Sequence, residues 1–177
     1  GGTTGGATNC GGATGGTSVA IGTPYPLSCD SNSQNMGISF PAAGSYLIAI
    51  DAANPAALQL TVEKVPVDVP VFVRGLGGDW SDGPQNQMSY LGSGVFSIDK
   101  VIAAGANEFK IASSDWATVD CGGGSAGNDV TVGAPLALVC GVSGSPNLRI
   151  APASGGTYRF RFTLQDAASG ELLVTGP

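Results

Sequence analysis

The sequence predicts an all-β protein, an antiparallel sandwich of short strands. Three observations carry this: apolar and polar residues alternate in short runs, turn-forming clusters recur between the runs, and one block of sequence occurs twice. Alternation is cleanest in Tyr158-Arg159-Phe160-Arg161-Phe162, with aromatics on one face and arginines on the other. Strands are expected at 69–74, 94–101 and 107–112, and in the first copy of the block at 18–22, 36–40, 45–51 and 58–63. Their counterparts in the second copy are 129–133, 147–151, 157–164 and 171–175. Turn signals separate them at 91–94, 103–107, 51–55 and 165–170, each rich in Gly, Ala, Asn or Asp. Short strands at intervals of roughly ten residues suit a sandwich.

The duplication sets the domain organisation. Cys10 lies 111 positions before Cys121, and Cys29 lies 111 positions before Cys140. Around them Cys10-Gly11-Gly12 matches Cys121-Gly122-Gly123, and Pro24 to Cys29 matches Pro135 to Cys140. After a one-residue insertion, Gly44-Ser45-Tyr46 matches Gly156-Thr157-Tyr158. Ile48 and Ile50 then fall opposite Phe160 and Phe162, and Leu60 and Val62 opposite Leu172 and Val174. Apolar residues replace apolar ones, as a shared core demands. Residues 1–66 therefore form a partial β module, a repeat of 112–177, and residues 67–177 a complete module. The proline-marked stretch Val65 to Pro70 lies at the boundary.

Four cysteines allow three disulfide connectivities, and only Cys10–Cys29 with Cys121–Cys140 gives each copy the same bridge. Widely spaced cysteines in a Gly-rich chain with seven Lys plus Arg suit disulfides of an oxidising compartment. Histidine is absent, which removes Ser-His and Cys-His catalysis and the commonest transition-metal ligand. A net charge of −6 argues against nucleic acid and anionic membrane surfaces as partners. No apolar run approaches the roughly 18 residues of a membrane span. No leader-like segment is visible, so the sequence reads as a mature or trimmed chain.

Trp80, within Arg74-Gly75-Leu76-Gly77-Gly78-Asp79-Trp80, and Trp116, within Ser113-Ser114-Asp115-Trp116, sit in loop-like surroundings. Flat indole faces there offer stacking platforms for sugar rings; tryptophans also anchor loops onto small sandwiches, and composition alone fits both readings. Asp79, Asp82, Asp115 and Asp120 offer oxygen ligands for calcium, but without a calcium-loop spacing solvated turn aspartates are the simpler reading. Glu108 and Asp99 could form a glycosidase pair with one carboxyl raised in pKa, but Glu108 belongs to an alternating strand and Asp99 shows no partner, so catalysis is not expected. No cofactor is expected. The Gly-rich runs Gly1–Gly16 and Gly122–Gly127 lack the ending of a phosphate loop and read as flexible connectors.

Val71-Phe72-Val73-Arg74-Gly75, Trp80, Met88, Gly92-Ser93-Gly94-Val95-Phe96, Glu108-Phe109-Lys110-Ile111 and Trp116 together resemble a known family. It is the starch- and glycogen-binding modules of bacterial pullulanases, amylases and branching enzymes, and the resemblance covers about residues 69–175. It implies an immunoglobulin-like sandwich that binds α-glucan polysaccharides without cleaving them, secreted or displayed on the bacterial surface. Trp80 and Trp116 would stack on glucose units, and Lys110 would be the cation that hydrogen-bonds them. The family has Asn-Gly-Trp where this chain has Gly78-Asp79-Trp80. The first copy carries no tryptophan, so no sugar site is expected there, and Tyr25 and Tyr46 are expected in its core or rim.

A second reading is architectural: a structural subunit of an extracellular fibre or surface array. Residues 1–66 lack counterparts of Val69–Ala112, so their sheet should present unpaired edges. Those edges would be covered by the neighbouring module or by self-association with another subunit, or the missing half would lie upstream in a longer tandem protein.

Overall fold

In the computed structural model, which describes residues 9–13, 16–30 and 32–177, all regular structure is strand apart from two short 3-10 turns. The Gly-rich run Gly1–Gly16 falls largely outside these residues. The chain divides into two units, Gly1–Val65 and Pro66–Pro177.

The first unit holds β1 (Ser18–Val19), β2 (Tyr25–Pro26), β3 (Gly37–Ile38), β4 (Tyr46–Asp51) and β5 (Gln59–Lys64). Strands β2, β5 and β4 form an antiparallel three-stranded sheet in that order, and β1 pairs with β3 in parallel. Its small core is Val19, Leu60 and Val62, with Tyr25, Ile38 and Tyr46 packed partly buried against it.

The second unit holds β6 (Val71–Arg74), β7 (Ser89–Gly92), β8 (Val95–Ile102), β9 (Asn107–Ser113), β10 (Asp120–Gly122), β11 (Asp129–Val130), β12 (Pro135–Cys140), β13 (Leu148–Ile150), β14 (Gly156–Leu164) and β15 (Ser169–Thr175). They form one hydrogen-bonded ladder in the order β11-β13-β9-β10-β12-β15-β14-β8-β7, with β6 also on β9. All pairs are antiparallel except β11 with β13. The ladder folds over so that its limbs face each other: Phe109 of β9 meets Phe160 of β14 edge-on, ring centroids 5.4 Å apart. Alternation decides which faces turn inward. Tyr158, Phe160 and Phe162 are buried, and Arg159 and Arg161 between them are exposed.

Register shows how closely the two units repeat one another. Tyr25 pairs with Leu60 as Leu136 does with Leu172, and Val19 pairs with Ile38 as Val130 does with Ile150. The Gly12 N–H donates to Gln34 as the Gly123 N–H does to Pro146. The Tyr46 hydroxyl donates to the Ala42 carbonyl at 2.9 Å, and Tyr158 to Ser154 at 2.8 Å. Disulfides Cys10–Cys29 and Cys121–Cys140 occupy the same place in each unit. Cys121 and Cys140 stand directly opposite on paired strands.

The difference between the units lies beside the strand that each copy shares. β14 is flanked by β8 and β15, and Phe160 and Phe162 are fully buried. β4, its counterpart, pairs among the described residues with β5 on one side only, and Ile48 and Ile50 are 57% and 60% exposed.

The Gly122–Gly127 run is not a loose connector. Gly122 lies in β10 and is buried; a Cβ there would stand 2.3 Å from the Pro146 carbonyl oxygen, so the chain 145–146 crosses directly above it. Each disulfide closes a loop of sequence separation 19. In the chain-entropy account such a loop is worth about 3 kcal/mol. Replacing Cys121 and Cys140 together by Ala is expected to lower unfolding free energy by about that amount in urea titrations, with tryptophan fluorescence as readout.

Candidate functional site

Strand β6 runs Val71, Phe72, Val73 and then ends in Arg74, and it pairs antiparallel with β9. Val73 opposite Ile111 points into the core, and both are fully buried. Arg74 opposite Lys110 lies on the other face. Two cations directly opposite on one sheet face repel. The structure separates them by giving each a different set of partners.

Arg74 turns to the two tryptophan loops. Its Nε donates to the Trp80 carbonyl at 2.8 Å, and one terminal nitrogen donates to the Ser113 and Ser114 carbonyls at 2.9 and 3.3 Å. Its guanidinium carbon sits 4.0 Å from the centroid of the Trp116 ring. One buried side chain thus fixes both loops, and the planar donor fork of arginine suits that task as a lysine would not.

The indoles it supports lie side by side. Trp80 and Trp116 have ring centroids 6.2 Å apart, tilted by 38°, and each is 37% exposed. Trp80 is seated on Gly75, where a Cβ would come within 2.7 Å of its ring and where φ is +111°. Trp116 has φ of +55°, in the left-handed region that bulky residues avoid.

Short polar side chains hold both loops. Asp79 accepts from the Ser81 N–H at 3.0 Å, the Gln85 amide at 3.0 Å and the Asn86 amide at 2.9 Å. Asp115 accepts from the Ser113 hydroxyl, the Ala117 N–H at 3.0 Å and the Thr118 hydroxyl at 2.7 Å. These donors push both carboxyls well below the ordinary aspartate value, led by the Ser81 hydroxyl for Asp79 and the Ser113 hydroxyl for Asp115.

Lys110 does not reach the tryptophans. Its ammonium is buried, 2.7 Å from Asp120 and 3.0 Å from the Ser145 hydroxyl. Gly122 makes room for the chain at 145–146 to lie over this face, and that chain closes Lys110 in. The hydrogen-bonding role expected of Lys110 is corrected on that ground: its ammonium is committed to an internal ion pair. Arg74 is the cation at the tryptophans. A charged residue ending an otherwise apolar strand, directly before a glycine, was the available signal.

Asp99 and Glu108 each have a structural partner. Asp99 forms a two-point ion pair with Arg159, at 2.8 and 2.9 Å, and that hydrogen bonding lowers its pKa, opposite to what a general acid needs. Glu108 accepts from the Asn147 amide at 3.3 Å. Among the described residues no three His, Cys, Asp or Glu gather as metal ligands.

Comparison with known proteins bears on the fold. No family model matches the chain, and a search of curated proteins returns no match. Among solved structures it is similar to a starch-binding domain described as "Ligand induced structure of AmyP-SBD". The TM-score is 0.51 at 18% identity, over 83% of this chain and 99% of that one. The class defined is therefore a disulfide-bonded β-sandwich with the fold of a starch-binding module.

Two measurements check this account of the site. Removing one partner of the Lys110–Asp120 pair strands a buried charge, so Asp120→Ala is expected to reduce stability by about 3–5 kcal/mol in urea unfolding. Lys110→Met with Asp120→Leu should lose less than that single change. The second concerns acid. Asp79 and Asp115 have folded pKa values below their unfolded ones, so folding favours their ionised forms. Their stabilisation is whole above roughly pH 5 and is lost as pH falls through 4 and below. Melting temperature should fall across that window, and Asp115→Asn should flatten the fall.

Proposed function

We propose that this chain is a non-catalytic, secreted carbohydrate-binding protein that holds α-glucans of the starch or glycogen type on Trp80 and Trp116. The observation that carries the reading is the pair itself: two adjacent indoles, 6.2 Å apart, each open to solvent over a third of its surface. Two apolar ring faces held by a buried arginine suit stacking against the apolar faces of consecutive sugars. The 38° tilt suits a chain that curves, as α-linked glucose does, better than a flat ribbon. The left-handed backbone at Trp116 adds support, because strain kept at a bulky exposed residue points to use. The similarity to a starch-binding domain agrees with this class of ligand. Two disulfides fit an oxidising, extracellular setting.

Sugar hydroxyls have nearby polar groups in Gln85 and Ser114, both exposed. Specificity would come from these groups, and affinity from the indoles. Affinity electrophoresis through gels containing amylopectin, together with calorimetry against maltoheptaose, tests the proposal. The wild type should be retarded by amylopectin and not by cellulose derivatives. Trp80→Ala and Trp116→Ala should each weaken binding by about 2 kcal/mol, roughly 30-fold, while retaining the fold. Migration of the wild type unchanged by any α-glucan would rule the proposal out.

A further inference from the structure

β4 is an outer strand of its sheet, and its hydrogen bonds to β5 fix which of its backbone groups face outward. The Val65 N–H donates to the Ser45 carbonyl at 2.9 Å, so positions 45, 47, 49 and 51 turn their backbone groups toward β5. Those of Tyr46, Ile48 and Ile50 turn outward. In the second unit the equivalent residues Tyr158, Phe160 and Phe162 are paired with Lys100, Ile98 and Phe96 of β8. The Leu164 N–H donates to the Gly94 carbonyl in the same ladder, which gives the same parity.

The described residues hold one β8, and it is already engaged on β14. A second copy cannot lend its β8 without opening its own second unit. A second copy can offer its own β4, an outer strand whose sequence is self-complementary. We propose that β4 is a self-association edge, two copies pairing antiparallel about a two-fold axis centred on Ile48.

The strand is self-complementary in that register. Ile48 faces Ile48 of the second copy, and Tyr46 faces its Ile50, so apolar side chains meet on one face. Asp51 falls opposite Ser45, which keeps the two Asp51 carboxylates apart. The positions paired, 46, 48 and 50, are those whose backbone groups point outward. Tyr46–Asp51 contains no Lys, Arg or Pro, the residues that natural edges use to refuse such pairing. Phe40, half exposed and 4.6 Å from the Tyr46 ring, extends the apolar rim. The proposal is independent of sugar binding.

Sedimentation velocity of the full chain over a concentration series tests it, with Ile48→Lys and Ile48→Cys as variants. Ile48 is largely exposed, so neither change disturbs a packed core. The wild type should dimerise, and Ile48→Lys should be monomeric at concentrations where the wild type is dimeric, because like charges meet across the axis. Hydrogen-bonded residues opposite one another have Cα atoms about 5.5 Å apart, within disulfide reach. Ile48→Cys should therefore form a covalent dimer under mild oxidation while Val101→Cys, at a position 80% exposed in β8, stays monomeric. A monomeric wild type whose Ile48→Cys variant crosslinks no faster than Val101→Cys would overturn the proposal. So would a monomeric wild type that binds a peptide of residues 94–103 along β4, since the edge would then belong to a β8-like strand.

Discussion

Everything proposed for the site depends on where Arg74 is held. The pairing of β6 with β9 puts Val73 into the core and Arg74 on the opposite face, next to Lys110. Repulsion between these two is relieved by Asp120, which takes Lys110 into a covered ion pair. Arg74 is then free to bind three carbonyls of the two loops and to stack under Trp116. The tryptophan platform is in this sense a product of sheet register. A one-residue slip of β6 would turn Arg74 to the core side and release both loops.

The duplication shows what a shared scaffold does and does not confer. Both units keep the disulfide, the tyrosine hydroxyl bond back to the preceding loop, and the same strand register. Among the described residues the first has no counterpart of β6 and β9, and so none of the strand pairing that lets an arginine hold a tryptophan loop; its sequence carries no tryptophan. The same difference accounts for Ile48 and Ile50. Smaller than the phenylalanines that replace them in the second unit, they lie on a face that β8 and β9 cover only there.

Much of this was legible from the residues, for physical reasons that can be stated. Alternation located β14 because one of its faces is buried and the other wet. The matched spacing of Cys10, Cys29, Cys121 and Cys140 gave both bridges. β12 was missed as a strand because its outward residue is Ala137, so Pro135 to Cys140 reads as an apolar run without a polar beat. β10 was hidden in a glycine run, where the absence of side chains serves close approach by the chain at 145–146. Both tryptophans were found as loop residues. Their adjacency was not, since 36 positions separate them and only the β6–β9 pairing, with Arg74 between the loops, brings them together. Lys110 was misassigned because nothing local in Glu108-Phe109-Lys110 reveals a carboxylate ten positions away across a hairpin.

The chain contains two tryptophans, so the side-chain N–H region of its two-dimensional NMR spectrum should hold two indole signals. Titration with a maltooligosaccharide is the most direct test of the paired platform. The account predicts that both signals move together, with one binding curve and a saturating concentration common to the two. Movement of one signal alone, or saturation with both unmoved, would contradict it.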